Sequence, residues 1–142
     1  MIDRIYGFDG DYRWLSNFFV EKNGKTGEHL FQSFKTNDQA EGAAILAAAT
    51  PGEAKGLGRR CTLRADWEER KEDFMSRVLH FKFFGDPELG AKLLATGDAE
   101  LIEANTWNDR YWGVDRDTGI GKNRLGVLLM ETRDRLREEL HV

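Results

Sequence analysis

The sequence predicts a single α+β domain, residues 1–142, that is predominantly helical and carries a small β element near its N-terminus. A chain of 142 residues is long enough to bury one sizeable core and short for two. Its second half repeats apolar residues at spacings of three and four, which is typical of helices with one buried face. Ile2–Phe8 instead mixes aromatic and β-branched residues before Asp9–Asp11, which favours a short strand and a tight loop.

Composition and charge limit the classes of function. The hydrophobic fraction of 40% includes nine Phe and four Trp, so the chain has the material for a folded core. There are 21 Lys and Arg against 25 Asp and Glu, and the net charge of -4 argues against a broad basic surface that grips duplex phosphates. Any contact with nucleic acid should therefore be local.

Cysteine content and hydropathy predict where the protein works. Cys61 is the single cysteine, so no intrachain disulfide can form. No apolar run approaches the ~18 residues of a membrane helix, and residues 1–10 do not resemble a secretory leader. We expect a cytoplasmic protein without a membrane partner. The three histidines are scattered, so neither a metal site nor a cofactor is predicted.

Two hydrogen-bonding side chains interrupt the first aromatic segment, Trp14–Val20. Ser16 and Asn17 either bond nearby backbone in a structural turn or line a pocket and bond a ligand. The polar, glycine-containing stretch Glu21–Gly27 that follows is typical of a hairpin loop.

An acid, an amide and an amine follow within eight residues, Glu28–Lys35. If this segment is one helix, its ends lie on nearly the same side, and the carboxylate and ammonium form a polar face suited to a substrate. The alternative is a buried apolar stripe with two solvated charges at its ends.

Leu30–Ala49 is rich in helix-forming residues, and Gly42 is the predicted break between two helical segments. Thr50–Glu53 has the pattern of a capping box with Pro at the first helical position, and predicts a short helix that ends near Gly56 or Gly58.

Arg59 and Arg60 follow those glycines, and the group suits either a phosphate contact or a solvated helix end.

Asp66 is the predicted N-cap of a long helix, in whose first turn Trp67 either anchors the core or stacks on a base. Two shorter helices are predicted after it, at Glu88–Ala95 and Ala99–Ala104.

Trp107–Val114 is too aromatic for an exposed loop and too polar for plain core, so a pocket wall fits both properties. Within it, Asp109 is either a partly desolvated acid or base, or a helix cap or partner of Arg110. Gly119–Gly126 lacks the residues of a phosphate-binding P-loop, but it opens a final helix with one apolar face, Leu125–Leu140.

Five segments in this order and spacing resemble the NADAR family, also called the YbiA-like N-glycosidases. The resemblance covers nearly the whole chain and implies a single compact YbiA-like domain. The segments are Leu15–Phe19, Glu28–Gln32 with Lys35, Gly58-Arg59 before Asp66–Glu68, Asp109 with Trp112-Gly113, and Gly121–Gly126. The chain departs from the usual family pattern at Leu30 and at Thr36-Asn37, which leaves the acid and the amine in place.

The resemblance implies an N-glycosidase that cleaves the bond between a base-like group and a ribose phosphate. Its two substrate classes are phosphorylated ribosylamino-pyrimidine intermediates of riboflavin synthesis, and guanine carrying ADP-ribose in a nucleotide or in nucleic acid. By residue match, the expected catalytic residues are Glu28, Asp109 and Lys35, the last through a Schiff-base-like intermediate with the sugar. The expected substrate-binding residues are Ser16, Asn17, Arg59, Trp67, Trp112 and Asn123.

Two other classes of protein stay open. A non-catalytic module for ADP-ribose or a nucleotide would keep the pocket without turnover. A helical interaction module would offer Leu125–Leu140 to a partner helix. Because a binder needs no paired acid and amine, the combination of Glu28, Lys35 and Asp109 favours the enzyme.

Overall fold

The computed structural model describes residues 2–140, which form six α-helices and four short strands. The helices are α1 (Gly27–Ser33), α2 (Gln39–Leu46), α3 (Pro51–Arg60), α4 (Trp67–Gly85), α5 (Pro87–Ala95) and α6 (Arg124–Leu140). The strands are β1 (Arg4–Tyr6), β2 (Glu100–Ile102), β3 (Ala104–Asn105) and β4 (Val114–Asp115). This confirms the predicted α+β class, predominantly helical with a β element near the N-terminus. The loop predicted after Asp9 is a 3-10 helix, Gly10–Leu15.

The chain divides into two compact units. Asn17–Val78, here called the helical unit, contains α1, α2, α3 and the first part of α4. The described residues on either side of it form the mixed unit, which contains all four strands, the end of α4, α5 and α6. The expectation of one domain over residues 1–142 stays a prediction.

In the helical unit, α1, α2 and α3 pack against one another. His29 joins α1 to the residues after α2, since its Nε2 lies 2.9 Å from the Ala48 carbonyl oxygen, which can only accept. Nδ1 is then the acceptor in the neutral ring, and the Thr26 hydroxyl donates to it at 2.8 Å. This buried histidine is a structural clamp at the start of the helix that carries Glu28.

Two predicted helix boundaries in this unit are wrong. The break lies after α1 and before Gln39, and Gly42 is inside α2, because Asp38 caps that helix by accepting from Glu41 N–H at 2.9 Å. Helix α3 continues to Arg60 instead of ending near Gly56 or Gly58. A side chain at Gly58 would collide with the Gln32 amide, so this glycine serves close packing inside a helix.

The mixed unit contains two short parallel strand pairs, β1 with β2 and β3 with β4. The short helix predicted at Ala99–Ala104 is wrong, because this segment forms β2 and the start of β3. Leu101 is fully buried in β2, and its register partner is Ile5 in β1. Pairing with a strand far away in the chain therefore overrides the local helix propensity.

Helix α6 packs on β2 and on α5 and buries most of its predicted apolar face. Leu125, Leu128, Leu129 and Leu136 are buried, whereas Leu140 is 56% exposed. A face that is already covered inside the mixed unit is poorly suited to a partner helix, which weakens the interaction-module alternative. None of the helices within residues 2–140 is long and apolar enough to cross a bilayer.

Candidate active site

Glu28 is a fixed, buried carboxylate in the first turn of α1. Glu28 is 8% exposed to solvent. Its N–H donates to the Asn17 carbonyl at 2.9 Å, and its Oε2 accepts from Gln32 Nε2 at 2.5 Å. Such a carboxylate has one orientation, as an acid or base in catalysis requires.

Lys35 lies outside α1, so the predicted single helix Glu28–Lys35 is wrong. The helix ends at Ser33, and Lys35 occupies the turn that follows. Two contacts fix this turn: the Lys35 carbonyl accepts from Arg64 N–H at 2.7 Å, and the Thr36 hydroxyl donates to Glu41 Oε1 at 2.7 Å. The amine therefore leaves the backbone from a tethered turn.

The electrostatic surroundings of Lys35 favour a neutral amine. Burial lowers the pKa of Lys35, and the nearby charges of Lys55 and Arg59 lower it further, while the carboxylate of Glu28 acts in the opposite direction. These interactions place Glu28, Lys35 and Arg59 in one neighbourhood, and Arg59 is exposed at the end of α3. A lysine of this kind is a better nucleophile than a solvated one.

Trp67 belongs to an aromatic cluster beside the amine. Its ring is stacked on Phe74, with centroids 5.9 Å apart, and tilted against Phe31 at 5.2 Å. Trp67 is 7% exposed and is therefore buried, as expected if it anchors the core. Lys35 Nζ lies 5.8 Å from the Trp67 ring centroid, so the cluster forms an apolar wall of the lysine environment. Base stacking by Trp67 stays a prediction.

Two buried amide oxygens in the helical unit lack hydrogen bonds. Asn17 is 6% exposed and donates through Nδ2 to Met75 Sδ at 3.2 Å, but its Oδ1 has no partner. Gln32 Oε1 is likewise unpaired, although Nε2 of the same side chain holds Glu28. A buried acceptor without a donor costs about 1–3 kcal/mol, and a bound water or ligand is one way in which such a group is satisfied.

In the mixed unit, Asp109 organises its own loop. Its Oδ1 accepts from Tyr111 N–H at 3.2 Å and from Trp112 N–H at 2.9 Å. Asn105 also binds the main chain of Asp109: its Oδ1 accepts from Asp109 N–H at 3.1 Å, and its Nδ2 donates to the Asp109 carbonyl at 2.9 Å. Asp109 thus caps a turn of its own loop and not a helix, and its predicted catalytic role remains a proposal.

The remaining predicted residues also make contacts within the mixed unit. Asn123 has φ 51 and bridges backbone groups, since Oδ1 accepts from Glu103 N–H and Nδ2 donates to the Leu101 carbonyl, each at 2.9 Å. The Ser16 carbonyl accepts from the buried Lys82 amine at 3.0 Å. Trp112 is half-buried and packs edge-on against Tyr111. Their substrate contacts stay predictions.

A cavity of about 550 Å³ in the mixed unit is lined in part by Asn123. Its lining combines the cations Arg4 and Arg116 with the acids Glu100 and Asp117. Arg116 pairs with Asp9 at 3.4 Å. This balance of charge selects no ligand class. Within residues 2–140, His, Cys, Asp and Glu form no group of three or more that could hold a metal ion.

Two residues near the expected catalytic groups received no role from sequence. Gln32 holds Glu28, and its spacing of four residues along a helix was the available signal. Glu103 is a buried acid, 9% exposed, with a pKa that burial raises to about 7, assisted by the charges of Asp109 and Asp9. The erroneous helix at Ala99–Ala104 concealed Glu103, because a surface helix leaves most glutamates solvated.

Gln32→Leu is expected to lower kcat about tenfold or more while changing the free energy of unfolding little. The change removes the donor to Glu28 Oε2, and hydrogen bonds to charged groups are worth about 1.5–3 kcal/mol. It also removes the unpaired Oε1, which offsets part of the lost stability. Turnover and thermal unfolding measured together check this, and Gln39→Leu, at the exposed start of α2, is the matched control. Unchanged turnover would contradict the positioning role.

Comparisons with known proteins identify the family of this chain. The NADAR domain profile matches residues 7–137, so the chain belongs to the NADAR domain family. N-glycosidase YbiA of Escherichia coli K12 is 42% identical, over 97% of this chain and 90% of its own length. The solution NMR structure of E. coli YbiA has a TM-score of 0.84 and 41% identity, covering 99% of this chain and 89% of that chain.

A longer relative is the riboflavin biosynthesis protein VVA0006 of Vibrio vulnificus. It is 33% identical over 94% of this chain, which corresponds to only 38% of the Vibrio protein. The family resemblance inferred from the sequence motifs is thereby confirmed, as is the fold that it implied.

Proposed function

We infer that this protein is an N-glycosidase that acts on a nucleotide-like ribosyl substrate. The names of its relatives support the reaction class. The single observation that carries the inference is the pairing of a buried, oriented carboxylate with a partly buried amine, Glu28 and Lys35, in the helical unit. A binding module needs neither a desolvated amine nor a nearby acid whose charge raises the pKa of that amine.

Breaking a C1′–N bond leaves positive character on the sugar and negative character on the departing base. The reaction therefore needs a group that protonates the base and a group that stabilises or attacks C1′. We propose Glu28 in its protonated form as the proton donor and the neutral amine of Lys35 as the nucleophile, with Asp109 as the second carboxylate. Arg59, exposed near Lys35, suits a phosphate of the substrate.

In the first half of the proposed reaction, the neutral amine of Lys35 forms a bond to C1′ while the C1′–N bond breaks. The electron pair of that bond leaves with the base nitrogen, which takes a proton from Glu28. The C1′–O4′ bond of the ribose then opens as one proton moves from the lysine nitrogen to O4′. The product of these steps is an iminium between Lys35 and the open sugar.

In the second half, water adds to C1′ of the iminium and the lysine nitrogen leaves. The sugar departs as a free aldehyde, and the resulting ammonium returns a proton to Glu28. The net change is consumption of one water for each base released. Direct attack of water at C1′ is the competing route, and it requires no covalent bond to Lys35.

We propose guanine-linked ADP-ribose and phosphorylated ribosylamino-pyrimidines as the two substrate classes to compare. The protein is incubated in parallel with ADP-ribosylated guanosine, ADP-ribosylated DNA and a phosphorylated ribosylamino-pyrimidine, and products are identified by mass spectrometry. We expect at least one of the three to be cleaved, either to ADP-ribose and the unmodified guanosine or DNA, or to a free aminopyrimidine and a ribose phosphate. Tight binding without products would instead establish the non-catalytic module for ADP-ribose or a nucleotide.

A further inference from the structure

A buried carboxyl that the proposed chemistry does not use lies in the mixed unit. Glu103, between β2 and β3, is 9% exposed. Its main chain is held on both sides, since its N–H donates to Asn123 Oδ1 and its carbonyl accepts from Val114 N–H. Among residues 2–140 its carboxyl group has no hydrogen-bond partner. Burial of a carboxyl group disfavours its charged form.

The Glu103 side chain lies against the loop of residues 109–113. A Cβ on Gly113 would lie 2.8 Å from Glu103 Cγ, so Glu103 occupies the space that any larger residue at 113 would need. Asn105 connects the main chain of Glu103 to the loop, because its Nδ2 donates to the carbonyls of both Glu103 and Asp109. Glu103 therefore supports the loop that the Asp109 carboxylate caps.

Two negative charges act on Glu103 from different parts of the mixed unit. Burial is the main cause that raises the pKa of Glu103 to about 7, followed by the charges of Asp109, after β3, and Asp9, after β1. Asp9 is partly compensated by Arg116, whose Nη1 lies 3.4 Å from its Oδ2. Glu103 thus changes charge near neutral pH, beside a loop that contains a proposed catalytic carboxylate.

We propose that Glu103 is a positioning residue for Asp109. Neutral Glu103 packs beneath the 109–113 loop and keeps the Asp109 cap intact, whereas ionised Glu103 repels Asp109 and loosens the cap. The mechanistic part rests on the proposed function, in which Asp109 takes part in the reaction. The structural part concerns the loop alone and is testable without a substrate.

The structural part is tested by NMR titration of the full chain between about pH 5.5 and 8.5. The reporters are the amide signals of Tyr111 and Trp112, whose N–H groups donate to Asp109. In the wild type we expect both signals to titrate with a midpoint near pH 7. Glu103→Gln should abolish this transition. Asp109→Asn should lower the pH at which the signal of the Glu103 carboxyl group titrates. The exposed control Glu100→Gln should leave the transition unchanged.

The mechanistic part is tested by pH–rate profiles on any substrate that the wild type consumes. We expect the ratio of the kcat of Glu103→Gln to the kcat of the wild type to increase about tenfold as the pH rises through 7, in addition to the rise that both proteins show as Lys35 loses its proton. A merely structural Glu103 would leave the shape of the profile unchanged. If no substrate is consumed, the proposed function fails while the titration still decides the structural part.

Three outcomes overturn the inference. They are a wild-type titration without a transition near pH 7, a transition that persists in Glu103→Gln, and identical alkaline limbs in the two pH–rate profiles. If Glu103→Gln does not fold, the wild-type carboxyl signal of Glu103 decides: a midpoint close to the ordinary glutamate value of about 4.3 overturns it.

Discussion

Glu28→Gln is expected to reduce kcat about a thousandfold in a protein that remains folded, because an amide of the same shape cannot deliver a proton to the departing base. The oxygen of the substituted side chain can still accept from Gln32 Nε2. The hydrogen bond from the main-chain N–H of residue 28 to the Asn17 carbonyl is unaffected. Steady-state turnover and circular dichroism melting on the same sample provide the measurement.

The matched control for this change is Glu69→Gln, which alters an exposed carboxylate in the first turn of α4. It should leave kcat within about twofold, since exposed charges of this kind contribute little. If Glu28→Gln retained turnover within a few-fold of the wild type, Glu28 would be a structural acid and the proton donor would have to be sought elsewhere.

Lys35→Arg is expected to reduce turnover about a thousandfold, because a guanidinium remains protonated and cannot add to C1′. In the wild type, borohydride added during turnover should reduce the iminium and attach the sugar irreversibly to Lys35. Peptide mass spectrometry locates the label. The lowered pKa of Lys35 predicts that the rate rises with pH as the amine loses its proton, with a midpoint below the ordinary lysine value of 10.5.

Lys55→Arg is the control for this experiment, because Lys55 acts electrostatically on Lys35 and its replacement keeps the charge. It should be labelled at Lys35 like the wild type. The direct attack of water predicts the opposite pattern: no label at Lys35 under turnover, and measurable activity in Lys35→Arg because charge and reach persist.

Local patterns predicted those parts of the fold that local interactions determine. The helix predicted at Glu88–Ala95 is α5, which begins one residue earlier because Asp86 caps it. Helix α6 was expected from leucines at spacings of three and four. The errors occur where distant residues decide. The segment at β2 is a strand because β1 pairs with it. Gly58 lies inside α3 instead of ending it, since Gln32 fills the space that a side chain at this position would need.

The site shows the same limit. The sequence brought Glu28 and Lys35 together for a wrong reason, a continuous helix, whereas the structure joins them through a turn held by Arg64. Asn123 was expected to bind substrate, but its amide bridges Leu101 and Glu103, about twenty residues away. Spacing cannot reveal such a partner. The resemblance to a family supplied the reaction, and the coordinates supply the orientation of its groups.

The turn after α1 has an evolutionary consequence. Glu28 is positioned by α1, which packs against α2 and α3. Lys35 is one of the five residues between Ser33 and Gln39, which are held by polar contacts to Glu41 and Arg64. Variation in this connection would move the amine along a bound sugar and leave the carboxylate where it is. If Glu28 is the proton donor proposed above, such variation adapts the scaffold to leaving groups of different size and conserves proton delivery.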